Sequence, residues 1–389
     1  MIRDEIIIDG VAHGYDFSPS NRTEYCTPEQ YRKMAMFMAL RGHQPLESKD
    51  PGFMLSPREF SARWTAEALA HAFFVESDVD IVFYHHVNID YYFKGGASRW
   101  DTGVELRNIA PGRVYLYGYV DTFATDKGRV FAEMERQAEQ GVVGFKFYPS
   151  SGFFDGNRKL IELQYDTPDD AYLYFEKARE LGVTRLAFHK AQPVGPGSLA
   201  GLHPSDLSSA AAAFPELTFE VVHDGWHFLD ECAIQLRNLP NIYANLECVI
   251  NLVVRQPRRF AHILGRLLSY GGPDRLIFAT GCAFGHPKPV LDAFMKFSMP
   301  EDLIKGYDYP EVTWDDKRKI LGGNMARLHN IDLNGIKQSI ADDRWAKLRA
   351  SGTPPPWTRH REIISSPSYP YPQFSESDFS EDEMRSYSW

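Results

Sequence analysis

Apolar positions along this chain gather into eight short runs, and each run ends at a polar residue. They are Ile6–Ala12, Val79–Tyr84, Val114–Val120, Val142–Tyr148, Thr184–Phe188, Leu217–Val222, Ile242–Leu246 and Arg275–Thr280. The runs are rich in β-branched and aromatic residues and show little alternation, which predicts strands covered on both faces. Between most of them lie stretches with apolar positions every three or four residues: 126–140, 167–181, 204–214, 228–238 and 258–270. Strand and helix in alternation predict βα units around a parallel sheet. Eight units fit a closed (β/α)8 barrel better than an open sheet. No glycine-rich dinucleotide fingerprint follows any run.

Two segments fall outside this rhythm. Residues 14–78 form a long insertion after the first strand, with helical patterns at Pro28–Leu40 and Pro57–Phe74 and four methionines, Met34, Met36, Met38 and Met54. Helical patterns at Pro289–Phe297 and Thr313–Leu328 follow the eighth strand, so the barrel domain spans 1–334. The remainder, 335–389, turns Pro-, Ser- and Tyr-rich at Pro354–Pro356 and Ser366–Pro372. That composition predicts an extended arm with aromatic anchors, lying on its own barrel or on a neighbouring subunit of a dimer.

Composition narrows the partners. A formal net charge of −10 argues against nucleic acid or an anionic membrane surface as the main partner. No apolar run reaches membrane-spanning length. The four cysteines, Cys26, Cys232, Cys248 and Cys282, form no CxxC pair. They are expected to be reduced thiols of a cytoplasmic protein. The charged start Met1–Glu5 has no apolar core of a signal peptide.

In such a barrel the C-terminal strand ends carry the chemistry. Those ends present His13, His85 or His86, Asp121, Lys146, His189, His223 and Glu247, with Cys282 and His286 after the last strand. Any single histidine here reads equally well as a hydrogen-bonded rim residue. Several together point to a metal held by His13, His189, His223 and Glu247, since imidazole and carboxylate suit Zn, Fe or Mn. Glu247 ends a buried strand, where a carboxylate is costly unless paired or metal-bound. A salt bridge to Lys146 or Lys190 is the competing reading. Lys146 and His286 are the candidate catalytic groups.

These stretches together resemble amidohydrolase-related TIM-barrel metalloenzymes. The likeness rests on Ile8–His13, Gly144–Pro149, the histidines His189 and His223, Arg275–Gly281 and Asn324–Leu328. The resemblance implies ligands at His13, His189 and His223. It also marks two departures: Val11 stands where the family carries a second histidine of the first strand, and Gly281 where it carries an aspartate. A glycine cannot serve as a base. The rearranged set with Glu247 resembles a smaller branch, the TIM-barrel nonheme diiron monooxygenases typified by the platensimycin and platencin diterpenoid hydroxylase. That resemblance implies two irons, O2 as co-substrate, an external electron donor and a hydrophobic, possibly diterpenoid, acyl substrate held as a CoA thioester. The alternative is a mononuclear Zn or Mn hydrolase or nonoxidative decarboxylase.

Overall fold

The computed structural model describes residues 1–155, 159–192 and 199–380. One parallel sheet holds β1 (Ile8–Ala12), β2 (Ile81–His85), β3 (Val114–Tyr119), β4 (Gly144–Phe147), β5 (Arg185–His189), β6 (Thr218–Val222), β7 (Ile242–Asn245) and β8 (Leu276–Ile277), in that order. Backbone bonds from Gly10 N to Phe278 O (2.9 Å) and from His13 N to Cys282 O (2.8 Å) join the last strand to the first. The expected (β/α)8 barrel is therefore closed.

Side chains sort by strand parity. Ile8, Ile81, Phe83, Tyr117, Ala187, Tyr243 and Ile277 pack together inside the barrel, and Met325, Leu328 and Ile340 seal its lower end. Phe145, Phe147, Phe188, Phe219 and Val221 face outward and are buried under the helices. Each contributes on the order of 2 kcal/mol over exposure to water. Burial on both faces is why the runs read as continuous rather than alternating.

The insertion and the C-terminal extension depart from the sequence reading. The helix Pro28–Phe37 starts at a Thr27–Gln30 capping box and runs into a π-helical segment, Met38–His43. The predicted helix Pro57–Phe74 is two, Pro57–Ser61 and Ala66–Phe74. Trp64 N turns aside to bond Tyr15 O (2.8 Å), and Thr65 caps the second piece. A hairpin, Ser150–Phe154 with Leu160–Glu162, leaves the barrel after β4 and was not anticipated. Residues 193–198, in the Pro- and Gly-rich stretch after β5, lie outside the described residues, as do 381–389 at the end of the arm.

The extension carries three helices, Leu333–Ile340, Arg344–Ala350 and Thr358–Ser365, and beyond them runs without helix over 366–375 as the expected arm, where Tyr369 donates to Arg63 O and Arg63 lies over the Tyr371 ring. It folds back over its own chain. Trp357 is fully buried and meets Trp64 and His286 edge-on, while His360 stacks on Trp64 at 3.8 Å. Proline and serine place the bends between these helices, and the aromatics between the bends fix the arm in place. Among the described residues, no helix is long and apolar enough to cross a membrane.

Candidate metal centre

Four of the expected residues meet at the C-terminal rim of the barrel. His13 Nε2 lies 3.2 Å from Glu247 Oε1, and His223 Nε2 lies 3.4 Å from Glu247 Oε2. His223 Nε2 is also 3.1 Å from His189 Nδ1. All four residues are buried.

Strand geometry brings them there in two ways. His189 and Glu247 point inward by simple alternation along β5 and β7. The other two need a local irregularity. The register of β1 against β2 shifts between Asp9 and Ala12, and such a bulge re-aims the next side chain. At the end of β6, His223 adopts φ 66°. This left-handed conformation is uncommon outside glycine and is found preferentially where a site requires it.

The remaining ring nitrogens all face backbone carbonyls. His13 Nδ1 is 3.0 Å from His85 O, His223 Nδ1 is 3.2 Å from Glu247 O, and His189 Nε2 is 2.8 Å from Gln192 O. Each of these nitrogens must donate its proton, so the opposite nitrogen carries a lone pair aimed at the centre. The inward contacts then bring acceptor to acceptor: imidazole nitrogen against imidazole nitrogen, and imidazole nitrogen against carboxylate. A cation between them satisfies all four residues at once.

The electrostatics agree. Burial lowers His223 to about 4 and His189 well below its ordinary value, so both rings are neutral. Burial works to raise the Glu247 carboxyl, but His223, His13 and Lys146 outweigh it and hold it well below the usual carboxylate range. The centre is one carboxylate among three imidazoles, a donor set suited to Zn, Mn or Fe. Cys248 also approaches, its Sγ 3.8 Å from Glu247 Oε1, and His223, Glu247 and Cys248 together are spaced to hold an ion. Burial pushes this thiol up. No CxxC pair marks Cys248 in the sequence; the signal it does carry is adjacency to Glu247.

Lys146 points inward from β4, buried, with no hydrogen-bond partner for its ammonium among the described residues. Burial lowers it to about 8 against the pull of Glu247 and Glu220. It sits deeper than the cavity lining and balances the Glu247 charge from below. His85, its electrostatic neighbour, is buried, stacks on Tyr117 and, among the described residues, has no hydrogen bond of ordinary geometry at either ring nitrogen, with the Gly10 backbone among its polar influences. Of the adjacent pair, His85 is the one aimed into the barrel; His86 packs on Tyr119 and Trp100.

His286 is not brought to the centre, which corrects its expected catalytic place. Its Nε2 is 3.2 Å from Glu76 Oε2, its Nδ1 accepts from Lys288 N, and its ring lies against Phe53 and Trp357. It is the cap of the helix Pro287–Lys296. Lys190 is also absent, because alternation turns it outward to Asp206.

A cavity of about 190 Å³ stands over the four residues. Its floor is His13, His189, His223 and Glu247. Its walls are mainly apolar, with Met34, Phe37 and Met38 from the insertion and Phe93 and Phe284 opposite; Arg41 and Glu162 are charged members of the lining. Met34 and Met38 of the insertion's four methionines thus border the cavity. Met36 is fully buried in the core, and neither it nor Met54 borders the cavity. Arg258 and Arg259 do not line it either: Arg258 pairs with Asp302 on the surface and Arg259 lies over Trp226.

A closed (β/α)8 barrel with a histidine–carboxylate cluster at its strand ends defines a class of metal-enzyme scaffold. Within that class, residues 104–331 match the amidohydrolase family model, more than half of the 389 residues, and the chain belongs to this family. No curated protein is significantly similar in sequence. Among solved structures, an uncharacterized TIM-barrel protein from Bordetella bronchiseptica is 16% identical, covering 83% of this chain and 97% of its own, with a TM-score of 0.55. An amidohydrolase from Burkholderia multivorans with bound zinc is 13% identical, covering 84% and 99%, with a TM-score of 0.51. At these identities the likeness shows the fold.

Proposed function

We propose that this chain is a mononuclear metal-dependent enzyme that carries out nonoxidative chemistry, hydrolysis or decarboxylation, on a compact and largely apolar substrate. One divalent ion, zinc or manganese, would be held by His13, His189, His223 and Glu247. The observation that carries this reading is the set of inward contacts in which every partner is an acceptor. Membership of the amidohydrolase family supports it. A bound ion of this kind polarises a carbonyl or carboxyl oxygen. The chain's residues do the rest. Met34, Phe37, Met38 and Phe93 exclude water, and Tyr15 and Tyr148 border the space above the histidines.

A diiron monooxygenase acting on a CoA-linked acyl substrate is the second reading. Inward-facing His85 favours it, as an additional imidazole beside the centre. Against it, Lys146 places an ammonium near His85, and two irons need more donors than these five residues supply.

Elemental analysis of the purified protein tests both. One zinc or manganese per chain, lost in Glu247→Ala and after chelation, is the expected result. Loss of CO2 release or ester, amide or lactone cleavage on chelation, across a panel of apolar substrates, would complete it. Two irons per chain with O2 consumption under a reductant would replace the first reading by the second.

A further inference from the structure

Gly281, just beyond β8, has φ 67°, and a Cβ built on it would lie 2.6 Å from Glu247 Oε1, 3.0 Å from Glu247 Cγ and 3.1 Å from Cys248 Sγ. The Glu247 carboxylate thus occupies the volume that any side chain at 281 would take. We infer that Gly281 is a positioning residue for the metal centre: its missing side chain is the space in which Glu247 reaches His13 and His223. The inference rests on the metal reading above.

The geometry says which group must yield. A Cβ at 281 presses on the far end of a flexible side chain, so the cheapest relief is rotation of the Glu247 carboxylate. Rotation takes Oε1 from His13 and Oε2 from His223. The barrel would survive while its centre lost its only carboxylate donor. Glu247 and Gly281 also form an exchangeable pair. An aspartate at 281 carries its carboxyl two bonds beyond the Cβ, in the volume that Glu247 Oε1 fills, and aspartate tolerates a left-handed backbone better than most residues.

The test compares zinc affinity, by competition with a chromophoric chelator, with thermal stability in the same variants. Gly281→Ala is expected to bind zinc about 10- to 100-fold more weakly, the range found when a residue supporting a metal ligand is altered. Gly182→Ala is the control. Gly182, in the turn after a helix, has nearly the same φ, 72°, but nothing within 4 Å of its Cβ position, so this variant also places a side chain at positive φ and should keep the metal. Glu247→Ala/Gly281→Asp should recover affinity lost in Glu247→Ala.

If the wild type binds no divalent metal, the metal reading itself fails. If the wild type binds zinc and Gly281→Ala binds it equally well, the metal reading stands and the role of Gly281 is overturned. Should Gly281→Ala fail to fold, Glu247→Ala/Gly281→Ala decides. Without the Glu247 side chain only the 3.1 Å approach to Cys248 Sγ is left, which a small shift of the thiol relieves, so this double variant is expected to fold as Glu247→Ala does. If it also fails to fold, the clash is not with Glu247 and the inference falls.

Discussion

At the scale of single residues, the outcome depended on which way each polar side chain turns at a strand end. His189 and Lys190 are neighbours in sequence, yet one faces the centre and the other a separate buried pair. Lys190 Nζ is 2.8 Å from Asp206 Oδ2 and 2.8 Å from Gly201 O, under the Tyr165 ring. Both charges are buried, so removing one leaves the other uncompensated, at about 3–5 kcal/mol. Asp206→Ala is therefore expected to lower denaturant-derived stability by that amount while metal content stays at the wild-type level. A loss under 1 kcal/mol would show the pair to be solvated. His189 and Glu247 were legible because period-two alternation fixes their direction. His13 and His223 were legible only as residues: a bulge and a left-handed φ aim them, and neither leaves a clear sequence signature. His286 misled because proximity along the chain to β8 says nothing about the direction of the loop that follows. Cys248 became relevant only once the fold placed it beside Glu247, and strand geometry chose His85 over His86 as the inward member of their pair.

At the scale of elements, the barrel strands and their helices were readable because burial on both faces leaves continuous apolar runs. The hairpin after β4 and the helical extension were not. Their segments are short and interrupted by proline, glycine and serine, and their order comes from tertiary contacts. Glu76 shows how. Its carboxylate accepts from Trp357 N (2.8 Å) and Arg359 N (3.4 Å) while facing His286 Nε2. One buried acid thus ties together the insertion, the loop after β8 and the extension. Trp357 completes the joint, its Nε1 donating to Phe53 O. Trp357→Ala should cost about 3–5 kcal/mol, the usual range for emptying a buried aromatic site. The same arm reaches the helix that walls the cavity, where Arg32 donates to Asp378 O (2.7 Å) and Phe374 approaches Tyr31. A chain ending after residue 352 is expected to melt lower and to bind a hydrophobic dye, because Trp64 and its neighbours lose their cover. An unchanged melting temperature would mean that the extension is not part of the folded unit.

At the scale of the whole molecule, buried ionisable groups set the pH range of the fold, and two sets act in opposite directions. His43 is neutral and fully satisfied: its Nδ1 bonds Phe284 O and its Nε2 accepts from Leu55 N. Protonation would break the second bond. Burial lowers His43 and His360 to about 4 and His329 to about 3. Between those values and the ordinary 6.5 the unfolded chain binds more protons, so these residues cost stability as pH falls through that window. For His43 the full effect is about 3 kcal/mol. Burial also raises acids, among them Asp9 and Asp224 to about 7 and Glu47 to about 8. Here the folded chain holds a proton that the unfolded chain has lost, so stability falls as pH rises from about 4 through 7 to 8. Between 4.5 and 6.5 the two sets oppose each other. Above 6.5 the raised acids act without the histidines, and below about 4 the histidines are joined by Glu247, whose depressed carboxyl also loses stability as pH falls. Denaturant midpoints of the metal-free protein, measured with chelator from pH 3.5 to 8.5, should therefore be highest between about 5 and 6.5. They should decline gently toward pH 8 and steeply below pH 4.5. His43→Gln should flatten the acid limb alone. Stability that keeps rising from pH 6.5 to 8 would show that Asp9 and Glu47 ionise within the folded barrel, and that the interior is wetter than its packing implies.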